Sequence, residues 1–299
     1  MTSLTRNEKK LNYFIDGVIT VITIGLTTWS DHPNLINDEQ RAVQLSEYSA
    51  VFPVAEVDTT FYGIPKPATF LMWLKQVPSA FQFIVKANRE MTMHPNVDQP
   101  ITEPARLQIF TDFRERMQLL TTTNQLKTVL FQFPPTFNAT HENIQYLMSL
   151  RSLMADLPIS IEFRNMTWFD EAVLPTLPDF FQELNYDLVA VDEPQGLTNS
   201  AAFVLNQQTK IIRLHGQNKR GWQDSGSQWR KERTNYRYTT AELTNLATKI
   251  KANGTADSCI IFNNNGGHDA ADNALELQRL LQLQFPNLGP KPPQQLGLF

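Results

Sequence analysis

Glu56, Asp58, Lys86, Gln132, Glu162, Arg164, Asp192, Arg213, His215 and Asn263 can carry charge, move protons or hold a ligand, and each stands at or near the end of a short apolar run. Side chains two apart on a strand share a face. Glu56 therefore projects with Asp58, Glu162 with Arg164, and Arg213 with His215. A strand face packed under helices would make charge costly, so these side chains belong on the opposite face, at a common opening. Four acids (Glu56, Asp58, Glu162, Asp192) would meet Lys86, Arg164, Arg213 and His215 there. Two chemistries are open to such a set. Groups with shifted pKa values transfer protons, or carboxylates and His215 hold a divalent metal. A plainer reading is that Glu162 pairs with Arg164 and Asp58 with Lys86, so that the network neutralises itself. With one histidine at the strand ends and no spaced His/Cys motif, the pattern names no particular metal.

The elements that must position these residues are the runs themselves: Val21–Gly25, Val54–Asp58, Phe81–Lys86, Thr128–Gln132, Ile159–Glu162, Asp187–Asp192, Ile211–His215 and Cys259–Asn263. Continuous apolar runs alternating with helical stretches mark parallel strands buried on both faces. Eight such units predict an α/β fold, a TIM (β/α)8 barrel with its site at the C-terminal strand ends. The spacing predicts helices over Glu39–Val51, Ala68–Lys75, Glu103–Leu120, His141–Met154, Leu177–Leu184, Thr240–Ala252 and Asp269–Leu283. Pro134-Pro135 stops the fourth strand. Residues 1–20 read as an N-terminal extension, 21–285 as the single barrel domain, and 286–299 as a short C-terminal tail.

Two connections after late strands are suited to anions. Asn263-Asn264-Asn265-Gly266-Gly267 joins the eighth strand to a helix start, where glycine amides and a helix N-terminus favour negative charge. The alternative is a glycine turn that merely caps the helix. Residues 217–238 form a long loop overhanging the opening, with Lys219, Arg220, Trp222, Trp229, Arg230, Lys231, Arg233, Tyr236, Arg237 and Tyr238. Basic residues interleaved with aromatics suit phosphate contacts plus stacking on bases or sugars. The alternative is a solvated lid whose aromatics pack on the barrel rim.

The 299-residue chain carries a net charge of −4, which excludes a generally basic nucleic-acid coat but leaves room for a local basic patch. Its one cysteine, Cys259, falls inside the eighth strand and reads as a small packed apolar residue. Asp16 interrupts the apolar stretch behind Arg6, Lys9 and Lys10, so no secretory signal is read. No run has the length of a membrane span, and a cytoplasmic location is expected.

Several phrases carry a family resemblance: Glu56-Val57-Asp58-Thr59-Thr60-Phe61-Tyr62 with Ile64-Pro65, Phe83-Ile84-Val85-Lys86-Ala87, Phe131-Gln132-Phe133-Pro134-Pro135, Ile161-Glu162-Phe163-Arg164 with Trp168-Phe169, Arg213-Leu214-His215-Gly216, and Phe262-Asn263-Asn264. In this order they resemble the Domain of Unknown Function 72, or YecE-like, family, over about Ile22 to Leu283. The resemblance implies a TIM barrel and brings no assigned activity. Asp58 stands where the family often has Asn. The last residues, Gln295-Leu296-Gly297-Leu298-Phe299 behind a proline-rich spacer, resemble the short peptide by which bacterial proteins bind the replication sliding clamp. That resemblance implies that Gln295, Leu296, Leu298 and Phe299 enter a hydrophobic pocket; Gly297 departs from the usual Ser or Asp. The other reading is a tail folded back on its own barrel.

The reading that follows is a hydrolase-type enzyme, acid–base or metal-assisted, acting on a phosphate-bearing or sugar-containing ligand, nucleic acid included. Glu162 or Asp192 would be the base or a metal ligand, and His215 a proton donor or ligand, with Lys86 and Glu56 completing the catalytic group. Asp58, Tyr62, Gln132, Arg164, Trp168, Arg213, Asn263, Asn264, Gly266 and Gly267 would bind substrate. Two other readings stand beside it: a non-catalytic nucleic-acid adaptor recruited to the clamp, and a phosphosugar isomerase that needs the Asn-Gly turn.

Overall fold

The computed structural model describes residues 13–15, 18–36, 38, 40–94, 100–195, 203–205, 209–223, 229–253 and 257–290. The clamp-like peptide at 295–299 lies outside them. Strand β1 (Tyr13–Ile15) pairs antiparallel with the start of β2 (Val18–Thr27). From β2 the chain builds a parallel sheet through β3 (Val54–Val57), β4 (Gln82–Lys86), β5 (Leu126–Gln132), β6 (Ile159–Glu162), β7 (Tyr186–Asp192), β8 (Ile211–Leu214) and β9 (Asp257–Phe262). Then β9 returns to β2, from Val21 opposite Asp257 to Leu26 opposite Phe262. The sheet closes, and the fold is a TIM barrel.

The helices are α1 (Leu45–Tyr48), α2 (Pro67–Gln76), α3 (Glu103–Thr122), α4 (His141–Met154), α5 (Leu177–Glu183), α6 (Lys219–Gln223), α7 (Trp229–Arg233), α8 (Thr240–Asn253) and α9 (Ala270–Leu280). Two differ from expectation. The helix expected over 39–51 shrinks to the single turn of α1. Glu47 accepts from the Gln44 backbone and from both ends of the Arg41 guanidinium, so a capping box starts the helix late and Arg41 ties down the irregular stretch before it. The loop at 217–238 contains α6 and α7, two short helices packed on each other.

Alternation along the strands divides the core in two. Val54, Ile84, Leu130, Val189, Val191, Ile211, Cys259 and Ile261 fill the barrel interior, as stacked layers do in this fold. Burial pushes the Cys259 thiol up to about 11, consistent with its role as an inert packing residue. The remaining apolar side chains form a second core between strands and helices. In it, Phe163 stacks on Trp168 with centroids 4.0 Å apart, and Phe133 on Phe137 at 4.0 Å. Two residues beyond the last interior hydrophobe of β3, β4, β5, β8 and β9 come Glu56, Lys86, Gln132, Arg213 and Asn263. The alternation that builds the apolar interior therefore delivers a polar layer on top of it.

Candidate functional site

The polar layer is built around two arginines. Arg213 on β8 is fully buried. Its Nε donates to Glu56 Oε2 at 2.8 Å, its Nη2 to Glu56 Oε1 at 2.5 Å, and its Nη1 to Glu162 Oε2 at 2.5 Å. Gln132 Oε1 lies 3.4 Å from the same Nη1. Arg164, two residues past the end of β6, donates from Nε to Glu162 Oε1 at 2.6 Å and from Nη1 to Glu193. Glu162 thus bridges both guanidiniums. The expected pairing of Glu162 with Arg164 is formed, and so is that of Asp58 with Lys86, at 3.7 Å. Lys86 Nζ also sits 4.8 Å over the Phe61 ring.

The two bridged glutamates titrate apart. Burial raises the Glu56 carboxyl to about 7 against the pull of Arg213, with Asp58 adding to the rise. Glu162 also meets the burial penalty, but Arg164 and Arg213 together hold it below the usual carboxylate range. Environments that separate two carboxyls in this way are a mark of acid–base sites.

His215 is an acceptor here, not a proton donor. Its Nε2 faces Arg164 Nη2 at 2.8 Å and Arg213 Nη1 at 3.3 Å, both obligate donors. Its Nδ1 therefore carries the proton, 2.9 Å from the Asn263 side-chain amide, which that tautomer asks to present its oxygen. Burial, Arg164, Arg213 and Lys86 push the imidazole well below its ordinary value, so the ring is neutral at pH 7. His94, in the connection after β4, shares this field. Burial and then Lys86, Arg89 and Arg164 lower it to about 4, and it packs edge-on to Phe61 at 4.9 Å. In both histidines burial is the larger cause and the neighbouring cations add to it.

The donor set does not fit a divalent metal. Glu56 and Glu162 each grip a guanidinium, His215 points its lone pair at two more N–H groups, and among the described residues no three His, Cys, Asp or Glu side chains gather as ligands.

The family model described as protein of unknown function DUF72 matches residues 23–296. The chain belongs to that family. UPF0759 protein YunF of Bacillus subtilis (strain 168) is 36% identical over 289 residues, covering 93% of this chain and 100% of YunF. UPF0759 protein YecE of Escherichia coli (strain K12) is 38% identical over 66 residues, 22% of this chain and 23% of YecE. A DUF72 family protein from Enterococcus faecalis V583 superposes with a TM-score of 0.83 at 35% identity, covering 91% of this chain and 99% of that one. Another, from Thermotoga maritima MSB8, gives 0.71 at 25% identity, covering 88% and 99%. The family carries no assigned function.

Other expected site residues of this DUF72 barrel lie elsewhere. Asp192 has the outward parity of Ala190 and is taken up by Tyr238 Oη, donating at 2.5 Å, and Gln217 Nε2, donating at 2.7 Å. Burial raises its carboxyl against both bonds. The acid that joins the cluster is Glu193, one residue later, with the inward parity of Val189 and Val191. Trp168 is a core residue, its Nε1 donating to the Phe137 carbonyl at 2.8 Å. Asn264 is buried and donates to Tyr236 O at 2.8 Å and Asn273 Oδ1 at 2.9 Å, anchoring the lid's last residues. Tyr62 is exposed at the rim beside Phe61.

The glycine turn cradles protein, not a ligand. A Cβ on Gly266 would sit 2.2 Å from the Lys231 carbonyl oxygen, and the Gly266 amide donates to Thr234 O at 3.1 Å. Gly267 lies against the Asn235 side chain. Gly216, after His215, has φ +90°, and a Cβ there would meet Tyr236 at 2.4 Å. These glycines let the lid come down on the rim. The lid then brings Trp222 edge-on to His215, 6.5 Å between centroids, and turns Arg233 inward, while Lys219, Arg220 and Lys231 face solvent.

Proposed function

We propose that the barrel mouth is the site of a hydrolase-type enzyme acting on a phosphate-bearing or sugar-containing ligand. The observation that carries this reading is the bracing of Arg164. Glu162, Glu193 and His215 all hold its guanidinium, at the open end of the barrel, where burial is incomplete. A cation fixed before the reaction stabilises developing negative charge with no reorganisation at that moment. Lys86 adds a second cation. Glu162, expected as the base, and Glu56, expected in the catalytic group, lie beneath and set the arginines. Asp58 is the carboxylate within reach of a ligand, with Oδ1 buried and accepting no hydrogen bond from the described residues. Among the described residues no helix is long and apolar enough to cross a membrane, and we take the cytoplasm as the working location.

The test is a turnover screen over phosphate monoesters, phosphate diesters and glycosides. Lys86→Met removes a charge-stabilising donor and Glu162→Gln removes the carboxylate that braces Arg164, and each should lower the rate by about a hundred-fold. Unchanged turnover in both variants, or no turnover on any class, overturns the reading.

The adaptor reading is favoured by one observation, the outward-facing Lys219, Arg220 and Lys231 of the lid. It predicts DNA binding that falls steeply with added salt; salt-independent binding removes it. Recruitment to a sliding clamp through Gln295, Leu296, Leu298 and Phe299 belongs to this reading. A labelled Lys291–Phe299 peptide should bind a bacterial clamp and lose that binding with Phe299→Ala. The isomerase reading loses its support, since the glycine turn it relies on is filled by the lid.

A further inference from the structure

The geometry points to Arg233 and Trp222 of the lid, facing Arg164, as the receptor for a phosphoryl oxyanion. This rests on the reading of the mouth as a site for a phosphate-bearing ligand, and names the group that holds the phosphate. Arg164 lies 5.4 Å from the Trp222 ring centroid and Arg233 lies 4.9 Å from it, so one indole carries two guanidiniums. Arg233 also sits 4.2 Å over Trp229. Cation–π contacts hold a guanidinium in place but leave its N–H edge free.

The two arginines differ in what opposes their charge. Arg164 has Glu162 and Glu193. Arg233 has no salt-bridge or hydrogen-bond partner among the described residues, and its Nε is buried without an acceptor. Trp222 Nε1 is likewise buried and has no acceptor among the described residues. Burial and the charge of Arg164 both disfavour the Arg233 cation, and only Glu193 offsets them. A half-buried cation beside a second cation, with two buried N–H donors unmade, lacks one thing: an anion with several acceptor oxygens. Buried donors are otherwise almost always satisfied, and guanidinium matches the geometry of a phosphoryl group.

The chemistry is shared by a phosphorylated small molecule and a nucleic-acid backbone, so the experiment carries both. Inorganic phosphate, glucose 6-phosphate and a single-stranded oligonucleotide are titrated calorimetrically into the full-length protein, and into Trp222→Phe and Arg233→Gln. The Phe variant keeps a ring for the cations and removes only the N–H. Melting curves check that both variants fold. Each substitution should weaken binding by about ten- to a hundred-fold, the effect of losing one hydrogen bond to a charged group. Weakening seen with glucose 6-phosphate assigns the receptor to small phosphorylated ligands; weakening seen only with the oligonucleotide assigns it to a backbone. Phosphate ligands that bind wild type and both variants equally overturn the receptor and leave the mouth reading standing, since that reading fails on Lys86→Met and Glu162→Gln. No binding of any of the three ligands to wild type overturns the receptor as well.

Discussion

The floor of the mouth and the lid above it use the same residue type in opposite ways. In the floor, Arg213 is fully buried and saturated, with Glu56 on one side and Glu162 on the other. In the lid, Arg233 is half buried and forms no salt bridge among the described residues; indole faces hold it, and Glu193 acts on it only through the field. Taking a guanidinium out of water is expensive, and excellent hydrogen bonding is what makes it tolerable. The floor meets that condition from within the chain. The lid leaves it to be met by something else. A saturated buried charge fixes geometry, and an unsaturated one waits for a ligand.

The most damaging way to break the comparison is to empty the floor. Arg213→Met leaves two buried carboxylates facing each other with their bridge removed, and should cost about 3–5 kcal/mol of stability. Urea unfolding of the variant measures this. Adding Glu56→Gln and Glu162→Gln to Arg213→Met should recover part of the loss, because neutral amides in the same volume relieve the repulsion. A loss of under about 1 kcal/mol for Arg213→Met would mean that the floor does not behave as a buried ionic unit.

How far the site was legible follows from parity. The apolar runs and their polar ends predicted the barrel, and the structure brings Glu56, Glu162, Arg164, Arg213, His215 and Asn263 together, because a strand's alternation continues past its last hydrophobe. The same rule contained the correction at β7. Val189 and Val191 face inward, so Glu193 and not Asp192 completes the series, but a run ending in two acids hides which one counts. Trp168 resembled a ligand contact because it follows a strand end; its place in an aromatic stack depends on Phe137 and Phe163, which only tertiary packing brings together. The glycines at 266 and 267 could serve a phosphate or a backbone equally well, and the lid's own chain takes the space. The unsaturated state of Arg233 has no sequence signal. It depends on which acids fail to arrive.

A gentler test sharpens the floor by pH. The Glu56 carboxyl is raised from an ordinary 4.5 to about 7, so the folded state holds its proton more tightly than the unfolded chain does. Its contribution is complete below the ordinary value and is lost as pH rises through about 7. Relative to Glu56→Gln, the wild type should therefore lose about 3 kcal/mol between pH 4.5 and 7.5. Glu162 works with the opposite sign. Held below the ordinary range by two guanidiniums, it stabilises above that range and ceases to as pH falls. Denaturant midpoints of both Gln variants across pH separate the two slopes. Parallel slopes would mean that the glutamates share one environment and that Arg164, which reaches only Glu162, does not divide them.

The smallest effect belongs to an arginine that matches Arg213 on paper. Arg237 also contacts two acids, Asp269 and Asp272, but is 60% exposed. Water already solvates that guanidinium, so each pair replaces one good environment with another, and salt screens what is left. Arg237→Ala should cost no more than about 1 kcal/mol, and less at high ionic strength. Thermal melts in low and high salt decide it. A cost near that of Arg213→Met would show that the number of partners, not their removal from water, sets the scale. The contrast between floor and lid would then rest on counting carboxylates alone, and the burial of Arg233 would drop out of the argument.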